Sequence, residues 1–533
     1  MKYFLVLTVM LLAGSVQAEA YDFVVDGIYY EIASVKDLTC VVVKGENEYK
    51  GDIVIPAQVE YNNRHFKVQE IRSGAFRDCS KLKSVEIPNS VKKIGYKAFS
   101  SCTSLTSVGM SNSITKIAER TFEKCRSMRS VKIPNSVIEI GEAAFEKCRS
   151  LRSVEIPNSV LKIDKAAFND CTNLIEVKLP DYLLRIDRSV FSGCRYLTTI
   201  KIPYSVTEIG MSAFADCASL SSVDMPNSIT KIESGAFSGC SSLTSVEIPN
   251  RVTGIASDLF RNCKSLTSIS IPVSVVAIGS LSFEGCSALK DVNLSNGLKS
   301  ISCDAFKDCV SLQSITIPGS VTKLDGGFDV GFDDCNPFQG CHSLNEVHFL
   351  YGPDKLEVRC DEWLNGGKGE WPGFFYQLEK LFIDRVFDCK RLHNNEFYPI
   401  NENIPLPNIR ELYIGGHIQT LFIRDKDRCE NLEKIRCYSK LPPICGSFSN
   451  TQYMNVMVEV PNSSLDLYRS HLTWGNFWNL QGFEPSGVDD LETEEPEKSI
   501  IGRFDLNGNP VDDGNKGITV IRFSDGSTKK VIL

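Results

Sequence analysis

The sequence predicts a repeat solenoid: β-rich coils of 23 residues, one short helical or 3-10 turn per coil, and a cap at each end. Three observations predict it. Cysteines recur without a break every 23 residues, at Cys79, Cys102, Cys125, Cys148, Cys171, Cys194, Cys217, Cys240, Cys263, Cys286 and Cys309. A phenylalanine three residues ahead of each keeps the same step, from Phe76 to Phe306. The unit itself is the third. From Leu151, Val154 and Ile156 alternate with polar neighbours at a strand's period of two. Pro157 stops the strand and Asn158-Ser159 supply turn chemistry. Val160 and Ile163 are spaced for a second short inward-facing element, and Ala167-Phe168 to Cys171 for a single helical or 3-10 turn. A fixed period of this length marks coils that bury apolar faces only against their neighbours. Such a chain offers an extended surface rather than a pocket, so binding is the leading functional class.

Taken in order, residues 1–18 read as a secretory signal peptide. Lys2 precedes an apolar run from Tyr3 to Ala13, and small residues follow, with cleavage after Ala18 or Ala20. Ser15 stands where a lipobox needs cysteine, which excludes lipidation. Residues 19–70 alternate as strands and predict an N-terminal β cap, because an open solenoid end exposes apolar core and strand edge. Residues 71–349 hold the coils in register, with Ser111 and Ser295 in place of the repeat proline. After Leu324 a nine-residue insertion, Asp325 to Asp333, breaks the period, which returns at Phe338 and Cys341.

From 350 to 435 the repeats degenerate, visible at Phe387-Asp388-Cys389 and Cys429-Glu430-Asn431-Leu432. Tyr351 to Phe375, rich in Gly, Trp and Asp, predicts a long loop. Residues 436–483 predict a C-terminal cap. Residues 484–499 are acidic with almost no bulky apolar side chains, as in a flexible linker.

Leu243-Thr244-Ser245-Val246-Glu247-Ile248-Pro249 and Ile140-Gly141-Glu142-Ala143-Ala144-Phe145-Glu146-Lys147-Cys148 resemble the BspA-like (Treponema pallidum-type) leucine-rich repeats. Units of that family read Leu-x-x-Val-x-Ile-Pro-x-Ser-Val-x-x-Ile-Gly-x-x-Ala-Phe-x-x-Cys, and the match runs from Ile71 to about Phe349. The resemblance implies a leucine-rich repeat solenoid, attachment at the cell surface, and binding to extracellular-matrix proteins such as fibronectin or fibrinogen. Val458-Glu459-Val460-Pro461, Tyr468, Trp474 and Phe477 resemble the family's closing segment. That segment has a strand ending in Val-Pro, a short helix with a Tyr, and a Trp-x-x-Phe over the last coil. Residues 500–533, with Asp505-Leu506-Asn507-Gly508, Gly517-Ile518-Thr519-Val520 and Lys529-Lys530-Val531, resemble the C-terminal sorting tails of Bacteroidota secreted proteins. That resemblance implies export by the type IX machinery.

Twenty cysteines in a secreted chain would ordinarily suggest a disulfide framework. Equivalent side chains of stacked coils, however, stand about 4.8 Å apart, and a disulfide needs about 3.8 Å between Cβ atoms. The ladder therefore predicts a buried column of free thiols acting as small hydrophobes. Cys303 and Cys335 each precede a repeat phenylalanine by three residues and are candidates for a disulfide across adjacent coils, two unpaired thiols being the alternative. No Cys-x-x-Cys or Cys/His cluster asks for zinc. Asp505 to Asn509 opens like a calcium loop, but Pro510 and Lys516 occupy the glycine and glutamate positions.

Six histidines fall in no catalytic motif, so no catalytic residue, metal or cofactor is expected. A net charge of −8 argues against a nucleic-acid partner. No segment after the signal approaches the roughly 18 apolar residues of a membrane span.

Function should lie in the outward positions, since packing fixes the inward ones. Units three and four align Lys124 with Lys147, Arg126 with Arg149 and Arg129 with Arg152, three like-charge pairs one strand spacing apart. Like charges in adjacent strands cost stability, which makes these six a candidate ligand patch. Nearby acids, six against eight basic residues from Glu119 to Glu155, and a duplicated repeat are the plainer account. Trp363, Trp371, Phe374, Phe375 and Tyr376 form the one dense aromatic cluster, a candidate glycan platform. The expectation is an exported, non-catalytic protein that binds extracellular matrix-type proteins. A surface glycan-binding protein and a structural envelope component are the rivals.

Overall fold

The computed structural model describes residues 21–324, 336–359, 377–385, 387–390, 408–421, 429–485, 500–504, 518–523 and 528–532. The chain divides into two compact units, Met1–Ser205 and Val206–Leu533.

In the first unit the N-terminal cap has six strands: β1 (Phe23–Val25), β2 (Ile28–Ser34), β3 (Thr39–Val42), β4 (Gly51–Val54), β5 (Gln58–Tyr61) and β6 (Arg64–Ile71). β1, β2 and β3 pair antiparallel in sequence order, β3 runs parallel to β6, and β5 closes antiparallel on β6. The cap starts both strand rows of the solenoid. β4 pairs in parallel with Leu82–Glu86, and that strand with Ser107–Gly109. β6 pairs in parallel with Lys93–Ile94. Repeating patterns are thus templated on strands the cap has already ordered.

We number coils by their first-row strand: one at Leu82–Glu86, two at Ser107–Gly109, three around Ser130, four at Ser153–Glu155, five at Glu176–Lys178 and six at Thr199–Lys201. In coils one, three, four and five a tight turn then closes on the proline carbonyl, as from Val160 N–H to Pro157 O (3.0 Å). A two-residue second-row strand follows, with Lys116–Ile117, Glu139–Ile140 and Lys162–Ile163 in parallel register.

On the third side the expected helical or 3-10 turn takes the 3-10 form, with alternate amides directed elsewhere. Ala98, Ser100 and Cys102 donate backwards to Gly95, Lys97 and Phe99, the i to i−3 bonds of a 3-10 turn. The amides between them donate to the next coil instead: Lys97 to Glu119, Phe99 to Thr121 and Ser101 to Glu123. Lys97 (φ 54°) and Ser101 (φ 63°) lie in the left-handed region and turn these amides outward. A helix would satisfy its amides internally and leave no donor for its neighbour. An L residue there costs roughly 1–2 kcal/mol, and the cross-coil bonds offset it.

Inside, Phe76, Phe99, Phe122, Phe145, Phe168 and Phe191 stack with ring centroids 4.8–5.7 Å apart. Tyr49 of the cap closes the column at 4.4 Å from Phe76. The ladder cysteines beside them are buried. From Cys102 to Cys194 each thiol also donates to the carbonyl of the phenylalanine one coil back, as from Cys125 to Phe99 and from Cys148 to Phe122, both 3.2 Å. They are small hydrophobes with a directed S–H.

In the second unit the same columns run from Phe214 to Phe338 and from Cys240 to Cys341. Strand pairing then continues where the sequence pattern fades. Ser314–Ile317, Glu346–Phe349, Lys380–Ile383, Glu411–Ile414, Lys434–Cys437, Met457–Pro461 and Asn479–Phe483 form one parallel sheet. Phe387-Asp388-Cys389, a mark of the degenerate repeats in the sequence, is a second-row strand paired with Leu356–Arg359. Its Phe-to-Cys step is two residues rather than three, which suits a strand.

The closing segment holds α1 (Asn450–Asn455), α2 (Leu465–Ser470) and the strand ending at Phe483. Ser449 and Gln452 form a capping box on α1. Tyr468 is buried with its hydroxyl donating to Ser439 O (2.9 Å), and the Trp474 indole donates to Pro443 O (2.8 Å). Ile500–Phe504, Ile518–Phe523 and Thr528–Ile532 make a three-stranded antiparallel sheet.

Candidate functional site

The six basic residues singled out by sequence fall into two groups in the first unit. Lys124 and Lys147 occupy left-handed positions of the tight-turn side, at φ 62° and 61°. Lys124 pairs with Glu123 (3.2 Å), and Lys147 with Glu146 (2.6 Å) and more distantly Asp170 (3.9 Å). Burial opposes a charge on Glu123, yet hydrogen bonds from Lys124 and Ser100 and the nearby Arg120 hold its carboxyl below the usual range. The hydrogen bond to Glu146 likewise raises Lys147. These two lysines are neutralised within the turn.

Arg126, Arg129, Arg149 and Arg152 are exposed, and none has a carboxylate within ion-pair reach among the described residues. At two places in the unit the cations of adjacent coils share an acid. Glu139 sits between Lys116 (3.1 Å) and Lys162 (3.6 Å), and Glu142 between Arg120 (3.6 Å) and Lys165 (3.1 Å).

Next to the arginines the first strand row is interrupted. Coils four and five pair fully, Ser153 to Glu176 through Glu155 to Lys178. Coil three keeps only an isolated bridge, Ser130 to Ser153, and the bond from Arg152 N–H to Arg129 O. The coil before it is irregular: Gly109 presents no side chain, and Ser111 replaces proline and donates to Val91 O (2.6 Å). A cleft of about 550 Å³ opens here, lined among others by Ser130, Lys132, Asn135, Ser153, Asn158 and Lys178. Lys178 holds Glu155 at 2.6 Å and keeps that carboxyl ionised to lower pH. Lys132 has no carboxylate partner among the described residues.

Beyond the cleft the surface turns aromatic and aliphatic. Asn158 donates to Asp181 (2.8 Å) and accepts from its amide (3.0 Å), setting the turn of coil five against that of coil four. Tyr182 follows at 66% exposure, and Tyr204, one turn further on, is 79% exposed. The Ser205 hydroxyl donates to Leu183 O (2.7 Å) and fixes these two turns side by side. Ile138, Leu161 and Leu184 form an exposed aliphatic column on the same coils. Sequence reasoning missed these residues by following columns of charge. The two columns after the proline, Asn135, Asn158, Asp181 and Tyr204 beside Ser136, Ser159, Tyr182 and Ser205, would have exposed the tyrosines.

The aromatic loop residues Trp363, Trp371, Phe374, Phe375 and Tyr376 lie outside the described residues. Cys303 is half-buried, and Cys335 also lies outside the described residues. Among the described residues no cluster of three His, Cys, Asp or Glu could hold a metal ion, and no helix is long and apolar enough to cross a membrane.

Parallel coils, a Phe column and a thiol column define a bacterial-type leucine-rich repeat solenoid with an outward basic and aromatic surface. The chain belongs to the BspA-type leucine-rich repeat family, whose repeat region matches at residues 58–175, 93–221, 162–265 and 207–336, together more than half of its length. It is similar to a leucine-rich repeat protein from Bacteroides ovatus, at 25% identity over 78% of this chain and 100% of that one, with a TM-score of 0.56. A leucine-rich cell surface protein from Faecalibacterium prausnitzii shares 27% identity over 61% of this chain and 94% of its own, at a TM-score of 0.43. The leucine-rich repeat protein of T. pallidum shares 29% over 36% of this chain and 87% of its own, at 0.32. No curated protein matches the chain.

Proposed function

We propose that this is an exported, non-catalytic leucine-rich repeat protein that recognises extracellular macromolecules, matrix-type proteins or glycans, through its solenoid surface. One observation carries the reading: inward repeat positions are consumed by packing, while coils three to six present unpaired guanidiniums, a cleft and exposed tyrosines outward. Apolar and basic groups of this kind, left in water side by side on adjacent coils, suit a partner surface. The signal-like residues 1–18 and the sorting-type tail support placement outside the cell.

Solid-phase binding of the secreted chain to fibronectin, fibrinogen and a glycan panel tests the reading. Saturable binding to one of them is expected. A folded protein that binds none would leave a structural envelope role in its place. Exposed Tyr182 and Tyr204 favour the glycan branch of the proposal.

A further inference from the structure

We infer that the outward surface of coils three to five, extended by Tyr204 of coil six, is a docking site for an acidic polysaccharide bearing sulfate or carboxylate groups. The inference rests on the reading of the chain as a surface binding protein and names the ligand class.

Charge is the first argument. Arg126, Arg129, Lys132, Arg149 and Arg152 stand on adjacent coils without a carboxylate partner, although the protein as a whole is acidic. Arg129 and Arg152 are in backbone contact (3.2 Å), so their like charges are held on neighbouring strands. Such an arrangement is destabilising in the free protein and is relieved by an anion. Guanidinium forks match sulfate and carboxylate oxygens in pairs.

Shape is the second argument. The interrupted ladder opens the cleft between coils three and four, with Lys132, Asn135, Asn158, Ser130 and Ser153 on its walls beside the Glu155–Lys178 ion pair, which leaves Lys132 as its unpaired charge among the described residues. Hydroxyls and amides of this density suit a partner rich in hydroxyl groups. The tyrosines are the third. Tyr182 and Tyr204 lie on turns joined to the cleft wall through the Asn158–Asp181 and Ser205–Leu183 bonds. An exposed ring presents an apolar face on which a sugar ring packs. An acidic peptide would use the cations but has no need of those faces. Repeated anions on a linear chain of rings use all three features together.

The test measures binding of the full secreted chain to heparin, with desulfated heparin and polyglutamate as comparisons, at two salt concentrations. Heparin should bind at low salt and release as ionic strength passes about 0.15 M, where the Debye length is about 8 Å. The triple variant Arg129→Ser, Lys132→Ser, Arg152→Ser should bind about tenfold more weakly, as expected for several exposed ion pairs lost together. A triple variant with the same charge change in the second unit, Arg251→Ser, Lys264→Ser, Lys290→Ser, should bind as the parent does.

Tyr182→Ala with Tyr204→Ala should weaken heparin and leave polyglutamate unchanged. All these positions are exposed, so unchanged melting curves verify folding. Three results would overturn the site: no heparin retained at low salt, equal loss in the second-unit variant, or polyglutamate held as tightly with the tyrosine variant silent. Fibronectin or fibrinogen binding without heparin binding would remove this site and leave the broader reading standing. Binding to none of them would remove both.

Discussion

At the scale of single residues the ladder cysteines carry the most physics. They fill space in the apolar column, and those past the first coil point the S–H at a carbonyl of the preceding coil, as Cys171 does toward Phe145 O (3.2 Å). Burial pushes the Cys286 thiol up to about 12, from an ordinary value of 9.0, and holds Cys125, Cys148, Cys171 and Cys240 well above that value. A thiol whose pKa is higher folded than unfolded contributes stability that is complete below pH 9 and is lost as pH rises toward 12. Each such group lowers stability by roughly 1.4 kcal/mol per pH unit in that window.

Several together make stability fall steeply above pH 9, so the melting temperature should drop as pH rises from 8 to 11. A melting temperature flat from pH 8 to 11 would contradict the burial of the column. Cys194→Ser should cost about 1–3 kcal/mol, because a hydroxyl enters apolar surroundings and its shorter bond draws the donor away from Phe168 O. Arg195→Ser, at an exposed site, should stay within about 0.5 kcal/mol, as denaturant melts of the pair can show. The buried thiol column was legible from period alone, since coils in register repeat their interior. The direction of the S–H was not, because a period does not say which atom the sulfur faces.

At the scale of elements the tight-turn side explains where glycine matters. Gly239 sits at φ 76°, and an added Cβ would meet Asp216 Oδ1 at 2.4 Å. Gly239→Ala should therefore destabilise by about 1–2 kcal/mol. Gly254, in a second-row strand, has only Ala277 O at 3.8 Å from the same atom. Gly254→Ala should be neutral or gain up to about 1 kcal/mol by restricting the unfolded chain. Paired thermal melts check both, and equal losses would show that the turn geometry is misassigned.

The same side shows why sequence left a helical and a 3-10 turn both open. Apolar residues at i, i+3 and i+4 mark successive tight turns as well as helices, and pattern cannot see that alternate amides leave for the next coil. First-row strands were legible where Val and Ile alternate before proline. Lys380–Ile383 and Glu411–Ile414 were not, because the Phe and Cys markers that phase the repeat have faded while the strand ladder persists.

At the scale of the molecule, fold and function were legible to different depths. Inward residues answer to packing and so repeat. Outward residues answer to a partner, and one sequence gives no second example to compare. The basic pairs were visible as stacked like charge, but their division into neutralised lysines and unpaired arginines depends on side-chain placement. Tail and linker should be separable from the solenoid. Removing residues 486–533 should leave the melting curve unchanged and trap the protein inside the envelope, read by protease access on intact cells. A lowered melting temperature would make the tail part of the fold, and unchanged surface exposure would deny it a sorting role.

The central claim is that the outward solenoid surface does the binding. The most direct measurement compares the secreted chain with a variant carrying serine at Arg129, Lys132, Arg152, Lys178, Tyr182 and Tyr204, on immobilised fibronectin, fibrinogen, heparin and dextran. The parent should bind at least one of them saturably, and the variant, melting at the same temperature, should lose that binding. A parent that binds nothing, or a variant that binds equally well, would contradict the account.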